Sequence, residues 1–339
     1  MSKIILIIGG TGLIGQTIYK ILSERNPNVK TLIGTRKSNL NPNEIQIDVN
    51  NLETFKSLNI HNLDLIVVCT KDTNNSILHY AIQHKIDYID ITNPSSELIK
   101  AHSGIKNAII DSKIVFSSGW MGGITPLLIY STGISATEIK DLKIIVYYST
   151  KDKAGDSSAE FMAENVSKPF FTYQNNLAIK IKHFLNAEKN VFEFDNQARK
   201  VFDFDIPDLY IFNHIEKIPT VNAKLTFDSK LITSALAIMQ KVNFFKILNF
   251  KEKKLIFGGG GKGDISTFEI VYTNNASLMR KITLMCEKGQ SELTAFSTVL
   301  HVEKMLENSN SSGIYFSYQL HEPKQFNGLL TSNKSIKLY

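Results

Sequence analysis

From Ile4 the chain runs through five consecutive apolar residues, Ile4-Ile5-Leu6-Ile7-Ile8, directly into Gly9-Gly10-Thr11-Gly12-Leu13-Ile14-Gly15. A short, isoleucine-rich apolar run reads as a strand buried on both faces. Gly10 to Gly15 fits G-x-G-x-x-G, a pattern with little meaning by itself. It gains meaning here because a buried strand precedes it and helical apolar spacing from Leu13 to Leu22 follows. Gly10 permits a tight turn, Gly12 lets the backbone approach a pyrophosphate, and Gly15 allows close helix–strand packing. The helix N-terminus then offers unpaired N–H groups to phosphate. The cradle predicted to hold a dinucleotide is therefore Gly10, Thr11, Gly12, Leu13, Ile14 and Gly15.

The first third of the chain keeps the same rhythm. Val29–Ile33, Glu44–Val49, Leu63–Cys69, Tyr88–Ile91 and Lys113–Ser117 read as strands. Leu52–Leu58, Ser76–His84 and Glu97–Ile110 read as helices between them. Apolar strands alternating with helices predict a parallel sheet covered on both faces, whose ligands bind beyond the strands' carboxyl ends. After Pro126 the alternation stops. Strand-like runs at Leu142–Tyr148, Val191–Phe204, Thr220–Phe227, Phe268–Tyr272 and Met279–Cys286 mix with helical spacing at Ser158–Val166, Leu231–Ile247 and Glu292–Leu306. The expected fold is α/β: an N-terminal Rossmann-type doubly wound parallel sheet over residues 1–125, with an inserted α+β domain over 126–312. Residues 313–339 are expected to return to the first domain. At 339 residues the chain is long enough for two domains, each with its own core.

The second strand bears on which dinucleotide fits. NAD sites usually carry an acidic residue about 20 positions on, bonded to the ribose 2′-hydroxyl. This chain has Gly34-Thr35-Arg36-Lys37 there. Arg36 can stack on adenine and pair with a 2′-phosphate, Lys37 adds charge and Thr35 offers a hydroxyl. NADP(H) is the expected cofactor. Asp48 and Val49 are placed to flank the adenine, and Cys69 and Thr70 to face the pyrophosphate and nicotinamide ribose.

The 38 Lys and Arg against 32 Asp and Glu leave a net charge of +6. The basic residues are scattered, and the densest cluster, Lys251-Glu252-Lys253-Lys254, has no aromatic interleaving, which argues against nucleic acid and reads as a solvated turn. Two cysteines, Cys69 and Cys286, exclude a disulfide framework. No His or Cys spacing suggests a metal. The apolar start breaks at Gly9-Gly10 and lacks the marks of a signal peptide. Leu231 to Phe250 is interrupted by Gln240, Lys241 and Lys246, so it does not read as a membrane span. These features describe a cytoplasmic protein with neither nucleic acid nor membrane as partner.

Two enzyme families share such a glycine-rich opening. Short-chain reductases use Tyr-x-x-x-Lys on a helix, where the lysine lowers the tyrosine's proton affinity. Tyr147-Tyr148-Ser149-Thr150-Lys151 matches that string, but the preceding Leu142–Val146 is β-rich, so the pair would not share a helical face.

Tyr88-Ile89-Asp90-Ile91-Thr92 and Ser118-Gly119-Trp120-Met121-Gly122-Gly123-Ile124-Thr125-Pro126-Leu127 resemble segments of the saccharopine dehydrogenase family. In that family a Pro-Gly pair more often stands where this chain has Gly122-Gly123. Phe202-Asp203-Phe204-Asp205-Ile206-Pro207-Asp208, Ile218-Pro219-Thr220-Val221, Leu293-Thr294-Ala295-Phe296 and Gly313-Ile314-Tyr315 continue the likeness. The resemblance implies reversible hydride transfer at a carbon–nitrogen bond that joins an amino acid to a keto or aldehyde partner. The expected partner is thus a small amino or keto acid, and a strand-rich second domain offers a face or edge for a homodimer.

Asp90, at a strand's carboxyl end, and Lys71, just after Cys69-Thr70, are the candidate catalytic groups. Gly119 joins the expected cofactor contacts. Trp120, Arg199 and Lys168 are the candidate substrate contacts. Gly258 to Gly263 does not satisfy the Walker A pattern, because Gly263 stands where Ser or Thr is required; it reads as a loop. Two alternatives remain at this level, an atypical short-chain reductase and an NADP(H)-binding redox-responsive regulator without turnover.

Overall fold

A computed structural model describes residues 3–38, 40–91, 94–152, 155–258, 261, 263–307 and 311–339. Thr92 and half of the Gly258–Gly263 run (Gly259, Gly260 and Lys262) lie outside the described residues. In chain order the first elements are β1 (Ile4–Ile8), α1 (Leu13–Arg25), β2 (Lys30–Thr35), β3 (Glu44–Gln46), β4 (Leu65–Val68), α2 (Ser76–Gln83), β5 (Asp87–Asp90), α3 (Ser95–Ile105) and β6 (Lys113–Phe116). There follow α4 (Thr125–Ser131), β7 (Ile139–Tyr148), α5 (Asp156–Asn165), β8 (Pro169–Gln174), β9 (Leu177–Lys182), β10 (Glu188–Val191), β11 (Ala198–Asp203), α6 (Asp208–Tyr210) and β12 (Thr220–Phe227). The chain continues with α7 (Lys230–Lys241), α8 (Phe250–Phe257), β13 (Ser266–Asn274), β14 (Met279–Cys286), α9 (Gly289–Leu306), β15 (Gly313–Phe316), α10 (Pro323–Thr331) and β16 (Ile336–Leu338).

Two compact units result. One takes Met1–Asn93, Glu97–Ile124 and Thr294–Glu322; the other takes Pro94–Ser96, Thr125–Leu293 and Pro323–Tyr339. The first holds a seven-stranded sheet in the order β15-β6-β5-β4-β1-β2-β3. Every pairing in it is parallel. The order 3-2-1-4-5-6 of its first six strands is that of a doubly wound dinucleotide fold. β1 is apolar throughout because it lies at the centre, hydrogen-bonded to β2 on one side and β4 on the other. On one face, Ile5, Ile7, Leu65 and Val67 pack against Ile18 and Leu22 of α1 and against Val299 and Val302 of α9. The second unit holds a nine-stranded mixed sheet in the order β10-β11-β12-β7-β13-β14-β16, with the β8–β9 hairpin attached to β12.

Several local expectations change. β3 stops at Gln46, because Asp48 turns into a lone bridge with Asn51 and its N–H is bonded to the Thr54 hydroxyl at 3.0 Å. α3 ends at Ile105 rather than Ile110, and the chain then turns through Ala108 N–H to Ile105 O. α7 ends at Lys241, and Asn243, at φ +56°, turns the chain out of the helix. Lys251 to Lys254 is not a turn: it lies in α8, started by a reciprocal cap in which Asn249 accepts from Glu252 N and Glu252 accepts from Asn249 N. The sequence reading sends all of 313–339 to the first domain and keeps 294–312 in the second. The structure instead places Thr294–Glu322 with the first sheet, while β16 bonds antiparallel to β14.

Candidate dinucleotide site

The strand order reverses between β1 and β4, so the turns that leave these two strands border the crevice where such sheets bind ligands. Gly9 leaves β1 at φ +80°, which a side chain would resist, and a Cβ there would lie 3.0 Å from Cys69 O. The sequence reading gives the tight turn to Gly10; the residue with positive φ is Gly9, one position earlier. Gly9 N–H donates to Gly34 O at 3.2 Å, and Gly12 N–H to Gly9 O at 2.9 Å, closing the turn. A Cβ on Gly10 would meet Ile33 Cγ2 at 2.8 Å, and one on Gly15 would meet Gly9 O at 2.4 Å. Gly15 therefore lets α1 press against the turn. At Gly12 a Cβ would meet only Gly9 O, at 3.2 Å, and both Thr11 and Gly12 are exposed. Gly12 caps α1 with no side-chain bond, and the first turn of α1, with Leu13 and Ile14 half-buried, faces outward bare. Bare backbone and a helix dipole at one place suit an anion.

β2 brings its end beside this turn, since Ile8 pairs with Gly34. Thr35 is buried, and its hydroxyl accepts from Lys37 N at 3.3 Å. Arg36 and Lys37 are exposed, and among the described residues Arg36 has no hydrogen-bond or ion-pair partner. Ile47 N–H donates to Thr35 O at 2.8 Å, which brings Asp48 and the buried Val49 alongside the same strand end. Asp48 Oδ1 accepts from Asn50 N at 3.0 Å. Cys69 continues β4, its N–H bonded to Ile8 O at 2.8 Å, and Thr70 lies against Gly9. Burial pushes the Cys69 thiol up to about 12, so it stays protonated and poorly nucleophilic near neutral pH.

The proposed catalytic pair is engaged within the protein. Asp90 is buried, and its Oδ1 accepts from Ser117 N at 2.7 Å while its carbonyl accepts from Ser118 N at 2.9 Å. Its carboxylate thus ties the end of β5 to the end of β6, where Ser117 takes φ +60°. Lys71 is half-exposed, 3.5 Å from Glu97. Neither geometry brings Lys71 and Asp90 together. Gly119 N–H donates to Ile91 O at 2.5 Å, and Trp120 is buried rather than presented at the surface.

The sequence missed a polar seam behind this passage. Ser297 and Thr298 of α9 donate to Ser118 O at 2.7 and 3.4 Å, and Ser317 donates to Ser117 O at 2.6 Å. His301 Nδ1 meets His321 Nε2 at 2.8 Å, and a Cβ on Gly123 would lie 3.0 Å from His301 Nε2. Burial, then the neighbouring imidazole, holds His301 well below its ordinary value; burial lowers His321 to about 4. No local motif marks these residues, because their only shared property is the face of α9 they reach.

In the second unit Arg199 is buried and paired within the protein. Its guanidinium bonds Asp195 through two nitrogens at 3.0 and 2.5 Å and lies 4.9 Å from the Tyr147 ring centroid. The β10–β11 hairpin brings Asp195 and Arg199 together, which their separation of four residues alone could not show. Lys168 is exposed in the turn after α5, 3.3 Å from Asn165 Oδ1. Tyr147 lies in β7 and Lys151 beyond its end, so the short-chain reductase string has no helix to stand on. Among the described residues no cluster of His, Cys, Asp or Glu could hold a metal ion, and no helix is long and apolar enough to cross a membrane.

No protein-family model matches the chain, and no curated protein matches its sequence. Solved structures do. Apo saccharopine dehydrogenase (L-Glu forming) from Saccharomyces cerevisiae is similar with a TM-score of 0.65 at 11% identity, covering 100% of this chain and 99% of that one. A meso-DAPDH mutant from Clostridium tetani E88 has a TM-score of 0.47 at 14% identity, covering 96% and 95% of the two chains. A myo-inositol dehydrogenase from Corynebacterium glutamicum has 0.44 at 9% identity, covering 100% and 99%. With a parallel sheet ordered for a dinucleotide and a second, mixed sheet, the chain has the fold of the yeast saccharopine dehydrogenase from end to end.

Proposed function

We propose that the chain is an NADP(H)-dependent oxidoreductase that transfers hydride at the carbon–nitrogen bond of a small amino or imino acid. The observation that carries this reading is the pairing of a glycine-lined helix start with the exposed Arg36 at the neighbouring strand end, which has no polar partner among the described residues. The backbone of Gly10 to Gly15 binds the pyrophosphate. Arg36 and Lys37 hold the 2′-phosphate, and Thr35, Asp48, Val49, Cys69, Thr70 and Gly119 line the remainder. When bound, the nicotinamide supplies the hydride, while the protein supplies position, charge and exclusion of water. Asp90 acts here as a positioning residue: it fixes the β6 end and the glycine passage that follows. The saccharopine dehydrogenase fold supports an amino acid as substrate.

The engagement of Asp90, Lys71 and Arg199 in internal pairs favours one second reading, an NADP(H)-responsive binding protein without turnover. NADPH fluorescence on titration, followed by a screen of keto acid and amine pairs for NADPH oxidation, separates the two. Turnover with any pair supports the enzyme; tight binding without turnover across the screen supports the sensor. Arg36→Glu is expected to weaken NADPH binding by about 10- to 100-fold and to spare NADH, as loss of a charge-assisted phosphate contact requires. Equal loss of both cofactors would refute the 2′-phosphate contact.

A further inference from the structure

The segment from Lys230 to Phe257 turns its apolar side outward. Along α7 and its C-cap residue, Leu231, Ala235, Ile238 and Val242 follow one another at intervals of four, three and four residues, which places them on one helical face. That face is the solvent side: Leu231 is 84% exposed, Ile238 63% and Val242 63%. The opposite, buried face holds Thr233, Leu236 and Gln240, and Gln240 Nε2 donates to Val166 O at 2.7 Å. Ile247, at 79%, and Leu255 of α8, at 82%, extend the exposed aliphatic surface along the chain. The α7 stripe is one helical face, and an apolar helical face left in water marks an interaction surface.

The same 28-residue stretch carries six lysines against the single Glu252, a net charge of +5 in a chain whose total is +6. Lys230, Lys241, Lys246 and Lys251 are exposed, flanking the stripe at both ends of α7 and at the start of α8. A second copy joined about a two-fold axis would set this charge against itself. A surface that is anionic outside and apolar beneath satisfies both features at once, with aliphatic side chains at the acyl boundary and ammonium groups among the headgroups. We propose that α7 and α8 dock the protein peripherally on an anionic lipid surface. Gln240, Lys241 and Lys246 exclude a span, the ground on which the sequence reading expects no membrane partner, but they suit a helix lying in the interface.

The test is sedimentation of the full chain with phosphatidylcholine vesicles, with and without phosphatidylglycerol. Binding is expected to the anionic vesicles only, weakening with salt. Leu231→Ser/Ile238→Ser/Val242→Ser is expected to abolish binding while leaving the circular dichroism spectrum and NADPH titration unchanged. Lys241→Gln/Lys246→Gln/Lys251→Gln is expected to weaken it about fivefold per lysine. No binding of the wild-type chain to anionic vesicles would overturn the proposal, as would equal binding by the stripe variant. A dimer in light scattering that the stripe variant converts to monomer would assign the face to a second copy instead. Binding to polyglutamate but not to vesicles would assign it to an acidic protein.

Discussion

Gly15 and Gly104 are both helical glycines, and their surroundings differ completely. A Cβ on Gly15 would strike Gly9 O at 2.4 Å and Gly10 Cα at 2.7 Å, whereas nothing lies within 4 Å of one on Gly104. Gly15→Ala is therefore expected to cost about 1–3 kcal/mol through overpacking against backbone that cannot yield. Gly104→Ala is expected to gain about 0.4–1 kcal/mol by restricting the unfolded chain. Urea denaturation of both variants checks the contrast. The motif's first and last glycines were legible locally, but the one in the left-handed region, Gly9, was not, because G-x-G-x-x-G matches one residue later. The histidine pair makes a pH prediction at the same scale. Both imidazoles are held neutral in the fold, and His321 falls to about 4, so the unfolded chain binds more protons from about pH 6.5 downward. Their contribution to stability is complete above that range and is lost as pH falls through it. His321→Asn should flatten the fall in stability on acidification, a difference of roughly 1–3 kcal/mol at pH 4 against pH 7. Asp205 acts in the opposite sense, since burial raises it to about 6, and Asp205→Asn should steepen the same profile. Thermal melts of the three proteins across pH distinguish these contributions.

At the scale of elements, α9 shows how a helix recognised in sequence can be assigned to the wrong body. Its apolar positions were visible in Glu292–Leu306, but nothing local says which sheet they cover. Ala295, Val299, Val302 and Met305 pack on the first sheet, and Ser297, Thr298 and His301 line the seam behind Gly119 to Gly123. Met305→Ala should cost about 2–5 kcal/mol for the cavity it leaves. Leu255→Ala, on the exposed face of α8, should change stability by less than about 0.5 kcal/mol. Equal effects in chemical denaturation would contradict the burial of one and the exposure of the other. Arg199 teaches the same lesson in a hairpin: its charge suggested a substrate clamp, and the strand pairing gave that charge to Asp195.

For the molecule as a whole, the last 27 residues serve both units, with β15 completing one sheet and β16 the other. A chain ending at Glu322 lacks α10 and β16, and Cys286, paired with Ile336 and fully buried, should become reactive. Faster labelling of Cys286 by a thiol reagent is the expected outcome; unchanged protection would mean that β16 does not cover it. Sequence alone determined the first strand, the glycine turn, the basic end of β2 and the alternation that makes a parallel sheet, because each depends on neighbours within a few residues. Tertiary structure alone decided the partners of Asp90, Arg199 and His301, the home of α9 and the outward face of α7. Those depend on packing between segments distant in sequence, where burial selects one face of a helix or strand and leaves the other to solvent or to a partner.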